Sequence, residues 1–126
     1  MKPLAEILQT LKAPLPDGAL ATRIQGGQRI RYLPWYNVAE LLDRHAPGWQ
    51  WQVVSVQVCG NHLVLVGRLI VPTADGPIVR EATGSELLEV SGYGDPASNA
   101  EAMAFRRAAA KFGLGLYLYR KQPARP

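Results

Sequence analysis

From Gln50 to Val58 the chain alternates, setting Gln52, Val54, Val56 and Val58 to one face of an extended segment and Trp51, Val53, Ser55 and Gln57 to the other. Gly60-Asn61 then supplies a two-residue hairpin turn, and His62 to Val71 resumes as a strongly apolar run. Asp75-Gly76 marks the next turn and Ile78 to Thr83 reads as a third strand, with Leu87 to Val90 either extending it or packing as a separate short segment. Three strands joined by turns this short predict an antiparallel meander.

The flanks read as helices. Leu4, Ile7, Leu8 and Leu11 form the i, i+3, i+4, i+7 stripe of a short amphipathic helix over Pro3 to Lys12, which Pro14 and Pro16 stop. A second helix is predicted from Pro34 to His45, with Pro34 in its first turn, Val38, Leu41 and Leu42 facing inward and Pro47-Gly48 beyond its end. A third starts either at Asp95-Pro96 or at a capping box of Ser98 and Glu101, runs through an alanine-rich stretch to Phe112, and ends at Gly113. The expected fold class is therefore α+β, an antiparallel three-stranded meander backed by the C-terminal helix, with helices before it.

A chain of 126 residues with 48% hydrophobic and 19% charged residues suits one core. Cys59 is the only cysteine, so an internal disulfide and a zinc cluster are both excluded, and a reducing cytoplasm fits. The N-terminus lacks the apolar run of a signal peptide and no stretch reaches membrane-spanning length.

Net charge is +4, a mild excess, but it is segregated. Between Glu40 and Glu101, eight acids against Arg44, Arg68 and Arg80 leave −5, and the remainder carries +9. From Gly18 to Ala39 the only charges are Arg23, Arg29 and Arg31, and after Glu101 every charge is a cation. Such separation creates a directional field whose commonest partner is a polyanion, although a solvated surface with a loose basic tail is the plainer explanation.

On the third helix, Phe105, Ala108, Ala109 and Phe112 share the side that should lie on the sheet. Arg106, Arg107 and Lys111 take another arc, with Met103, Ala104 and Ala110 as small or flexible neighbours that leave the cations open to phosphate. The second basic segment sets Arg23, Arg29 and Arg31 beside Tyr32, Trp35 and Tyr36, a mixture that suits single-stranded nucleic acid. Trp35 is assigned to the core, and Tyr32 is the better functional candidate.

Enzyme chemistry finds little support. His45, His62 and Cys59 read as two surface histidines and a buried structural thiol, and no metal-ligand spacing is present. Gly113-Leu114-Gly115 lacks the third glycine of a dinucleotide loop, there is no P-loop lysine motif, and Gly26-Gly27-Gln28 reads as a turn. Glu81, Glu86, Glu89 and Asp95 are explained by strand solvation and helix capping. No cofactor is expected.

Three stretches, in order, resemble the Rad-fifty-two-type single-strand annealing proteins. They are Arg23-Ile24-Gln25-Gly26-Gly27-Gln28 followed by Tyr32, Val38-Ala39-Glu40-Leu41-Leu42 leading to Gly48-Trp49, and Ala104-Phe105-Arg106-Arg107-Ala108-Ala109-Ala110-Lys111-Phe112-Gly113. The ending from Tyr93-Gly94-Asp95-Pro96 to Tyr119 resembles the bacterial and phage branch, including the DNA damage response A proteins. The resemblance implies a βββα core, oligomeric rings, and a groove holding single-stranded DNA backbone inward with its bases exposed for pairing, without nucleotide hydrolysis. By position it implies DNA-binding roles for Arg23, Arg106 and Arg107, with Tyr32 as an aromatic beside them and Arg29 as a further basic position.

Two departures accompany it: His62 stands where the family's outer DNA site has a lysine, and the segment from Gly94 to Ala104 is shorter than the eukaryotic version. A long C-terminal recombinase-recruiting region is also absent, so no mediator role is expected. Arg23, Arg29, Tyr32, Arg106, Arg107 and Lys111 are accordingly the expected DNA-binding residues, in a core spanning 21–119 between an N-terminal helix and linker (1–20) and a basic tail (120–126). The expected function is ATP-independent annealing of complementary strands in DNA repair by a cytoplasmic, nucleoid-associated homo-oligomer, with a generic RNA- or DNA-binding or oligomerisation module as the alternative.

Overall fold

Gly26 and Gly27 sit at φ of 60° and 76°, both in the left-handed region that a type I′ turn requires. They close a two-stranded hairpin of β1 (Ala21–Gln25) and β2 (Gln28–Tyr32). The glycines identified the turn in the sequence, but the arms carry too few apolar residues to show a strand period. The computed structural model describes residues 1–89 and 95–120.

The main sheet is the expected antiparallel meander, ordered β3 (Gln50–Cys59), β4 (His62–Val71), β5 (Ile78–Leu87). Beyond Leu87, the possible extension to Val90 lies partly outside the described residues. One expectation fails in β3. Val53 pairs with Gly67 but Ser55 pairs with Val66, so Val54 is a bulge and the side-chain parity reverses beyond it. Val56 and Val58, opposite Leu65 and Leu63, therefore join Trp51 and Val53 on the helix-covered side, while Gln52, Ser55 and Gln57 take the open face.

α3 (Pro96–Lys111) starts from Asp95, whose carboxylate accepts from Ser98 N at 2.8 Å and Ser98 Oγ at 3.0 Å. Those bonds to the charged form hold the Asp95 carboxyl below its ordinary pKa, the backbone bond first. Glu101 is not part of a capping box; its Oε2 accepts from Trp51 Nε1 at 2.9 Å. At the other end Leu114 N donates to Ala109 O at 3.1 Å and Gly113 N to Ala110 O at 2.8 Å, a Schellman stop with Gly113 at φ 106°.

Phe105, Ala108, Ala109 and Phe112 are buried with Leu69, Val71 and Ala82, as their helical spacing predicts. Ala104 and Ala110, expected beside the cations, are buried as well. For Ala104 the reason is close approach: a Cβ at Gly84 of β5 would overlap the Ala100 carbonyl, so small residues on both sides let the helix backbone settle onto the strand.

α1 (Leu4–Leu11) buries Ile7 and Leu11 in the same core, and Leu4 N donates to Asp75 Oδ2 at 2.9 Å, tying its start to the β4–β5 turn. α2 (Trp35–His45) buries Val38 and Leu42, with Pro34 capping it from outside. Trp35, expected in the core, is 53% exposed at the helix start, and Cys59, expected to be buried, is exposed at the end of β3. No helix among the described residues is long and apolar enough to cross a membrane.

Candidate nucleic-acid interface

Antiparallel pairing in the β1–β2 hairpin sorts its cations by face. Ala21 lies opposite Tyr32 and Arg23 opposite Ile30, so Arg23 and Tyr32 share one face; Thr22 opposite Arg31 and Ile24 opposite Arg29 share the other. On the first face the Arg23 guanidinium lies 5.0 Å from the centre of the Tyr32 ring. Arg106 reaches the same ring from α3 at 5.7 Å. Two like charges are thus held close to one aromatic quadrupole, which attracts both.

These residues open onto a cleft of about 180 Å³ between the hairpin, α3 and the chain after Gly113. Arg23, Arg31, Arg106 and Arg107 line it, and among the described residues no carboxylate does. Burial pushes the Arg106 guanidinium below its ordinary pKa; the Tyr119 phenol opposes that shift and the Arg23 charge adds to it. An arginine starts so far above neutrality that it stays charged. The consequence is a partly dehydrated cation that gains more from an anion than a fully solvated one does.

Arg107 and Lys111 follow along β5, an edge of the main sheet. Arg107 Nη1 donates to Thr83 O at 3.1 Å and Lys111 Nζ to Glu81 O at 2.6 Å, so both occupy carbonyls of the edge strand. Arg80 buttresses this end, donating to Lys111 O at 2.6 Å with its guanidinium 4.9 Å from the Phe112 ring centre.

The structure therefore gathers Arg23, Tyr32, Arg106 and Arg107 at one cleft and sets Lys111 a helical turn further on. Arg29 is on the opposite hairpin face from Arg23 and does not line the cleft, whereas Arg31 lines it while pairing with Asp17 at 3.2 Å. Sequence reasoning missed Tyr119, which enters the cleft from a 3-10 turn over Leu116–Tyr119, after Gly115 at φ 69° redirects the chain. Its only signal was the alternating Leu116-Tyr117-Leu118-Tyr119 run.

No family model matches the chain. It is 45% identical over 120 residues to the DNA repair RAD52-like protein 1, mitochondrial, of Arabidopsis thaliana, covering 94% of this chain and 68% of that one. The chain belongs to the RAD52-like family. A second RAD52-like relative, the DNA repair RAD52-like protein 2, chloroplastic, from the same plant, is 37% identical over 122 residues, again across 94% of this chain but 61% of the relative. Both RAD52-like relatives are longer than this chain and carry plant organellar names. A solved chain described as "An enumerative algorithm for de novo design of proteins with diverse pocket structures" matches 67% of this chain and 84% of its own at 17% identity and TM-score 0.26, too weak a likeness to bear on the fold.

Proposed function

We propose that this RAD52-like chain holds single-stranded DNA in the cleft between the β1–β2 hairpin and α3 and anneals complementary strands without ATP, working as an oligomeric ring. The observation that carries the reading is the convergence of Arg23 and Arg106 on Tyr32 in a cleft that no carboxylate lines among the described residues. The DNA repair names of its relatives support a role in repair and recombination.

The arginines take phosphates, and Arg107 and Lys111 continue the cationic path along α3. With two guanidiniums beside its ring, Tyr32 serves as their common support more readily than as a platform for a base, so bases are left outward and their identity is unread. Fixing the phosphates extends the strand and lowers the repulsion between two DNAs, which reduces the barrier to pairing. Pairing makes and breaks no covalent bond, so the reaction needs no hydrolysed nucleotide, and the chain acts as a binding protein rather than an enzyme.

Mixing complementary labelled oligonucleotides with the protein in the absence of ATP tests the proposal. Pairing faster than the spontaneous rate is expected, with the gain lost in Arg23→Ala/Arg106→Ala. Salt-dependent binding with no acceleration would reduce the chain to a generic single-strand-binding module.

A further inference from the structure

A second concavity, of about 300 Å³, lies between α2, the start of β3 and α3. Its walls are Trp35, Trp49, Trp51 and Phe105, with Glu101 at one side. Trp49 and Trp51 pack on Phe105 at ring separations of 5.5 and 5.1 Å. Their indole N–H groups are already engaged, Trp49 by Asp43 Oδ1 at 2.7 Å and Trp51 by Glu101 Oε2 at 2.9 Å. What remains for an occupant is aromatic surface beside a carboxylate that pairs with no cation among the described residues. Such a slot repels phosphate, so it does not continue the DNA path. It suits a cationic side chain with an apolar stem.

The same chain carries a matching surface. On the hairpin face opposite Arg23 and Tyr32, Arg29 lies outside the lining of the DNA cleft, forms no ion pair among the described residues and stands opposite Ile24, which is 69% exposed. The slot's acids belong to the segment with net charge −5, and the hairpin belongs to a segment whose only charges are arginines. Running on from Trp51, the helix side of β3 presents Val53, Val56 and Val58, left 44%, 51% and 61% exposed because α3 packs over β4 and β5. An apolar strip continuous with an aromatic slot is the kind of surface a soluble protein covers with a partner.

We propose that the occupant is a second copy of this chain, whose hairpin face seats Arg29 against Glu101 and the tryptophans, with Ile24 on the β3 valines. Two different surfaces meet, so the contact is head-to-tail, and its repetition closes a ring when the rotation permits. The proposal rests on the ring reading above and assigns its interface. It also gives Arg29 a role outside the DNA cleft.

Native mass spectrometry and sedimentation of the full chain test it with Arg29→Glu, Glu101→Arg and the double variant carrying both changes. Each single variant is expected to dissociate at protein concentrations at least tenfold above those at which the unaltered protein does, because like charges then meet across the contact. The double variant is expected to reassemble, because the pair is restored with its signs exchanged. Arg29 lies on an exposed hairpin, so Arg29→Glu remains informative even if Glu101→Arg, by disturbing Trp51, fails to fold. An unaltered protein that is monomeric would overturn the ring reading together with this interface. An assembling protein whose Arg29→Glu variant assembles equally well would overturn the interface alone.

Discussion

Arg106 of α3 stands 5.7 Å from the centre of the Tyr32 ring on the β1–β2 hairpin, so the helix and the hairpin meet at the arginine-lined cleft through an aromatic face. Among the described residues the hairpin pairs with no other strand, and Tyr32 therefore sets how Arg23 is placed relative to Arg106. Tyr32→Ala is expected to weaken single-strand binding about tenfold, because Arg23 and Arg106 lose their common support and must be ordered on binding, at roughly 0.5–1 kcal/mol each. Tyr32→Phe keeps the ring and is expected to bind within about twofold of the unaltered protein. Fluorescence anisotropy with a labelled oligonucleotide measures both, and equal losses in the two variants would assign the effect to the hydroxyl instead.

Lys111 and Arg106 lie on one helix but are engaged differently. The Lys111 ammonium sits on the Glu81 carbonyl, whereas Arg106 is partly buried in the cleft. Lys111→Ala is expected to cost about 1 kcal/mol of stability in urea titration, through the lost hydrogen bond to the strand edge. Its effect on DNA affinity is expected to be smaller than that of Arg106→Ala, and the reverse order would move the centre of the interface toward the C-terminal end of α3.

Gly84 tests the packing that positions the cationic helix. Gly84→Val brings side-chain atoms against the backbone of Ala100 and Ala104, so α3 must lift from β5. Destabilisation of about 1–3 kcal/mol is expected, as for overpacked cores. A denaturation midpoint equal to that of the unaltered chain would show that this contact is looser than described.

His45 supplies a pH dependence. Burial, with the charges of Arg44 and Lys2 adding to it, lowers its pKa below the ordinary 6.5. The unfolded chain therefore binds this proton more readily, so the contribution is complete above the unfolded pKa and is lost as pH falls through the folded one. Thermal melts between about pH 7.5 and 5 should show Tm falling, and His45→Gln should make the fall shallower. Parallel profiles for the two proteins would exclude His45 as a source.

The meander and α3 were legible because both carry strong local signals, the alternation and Gly60-Asn61 turn in one case and the Asp95-Pro96 to Gly113 limits in the other. The face assignment of Val56 and Val58 was not, because a bulge at Val54 depends on the partner strand and leaves no mark in the alternation itself. At the site, Arg23, Tyr32 and Arg106 could be named from residue type and family likeness. The separation of Arg29 from them follows from the register of a hairpin whose arms show no apolar period. Trp35 was misplaced because an aromatic at a helix start is ordinarily buried, whereas here it forms one wall of an open slot.

The salt dependence of single-strand affinity counts the phosphates that the cleft neutralises. Each phosphate neutralised contributes about −0.7 to the slope of log K against log salt for single strands. Arg23→Ala/Arg106→Ala is expected to make that slope shallower by about 1.4, the share of two phosphates, while leaving the fold intact by circular dichroism. A folded double variant whose slope matches that of the unaltered protein would contradict the assignment of the Arg23–Tyr32–Arg106 cleft as the DNA-binding groove.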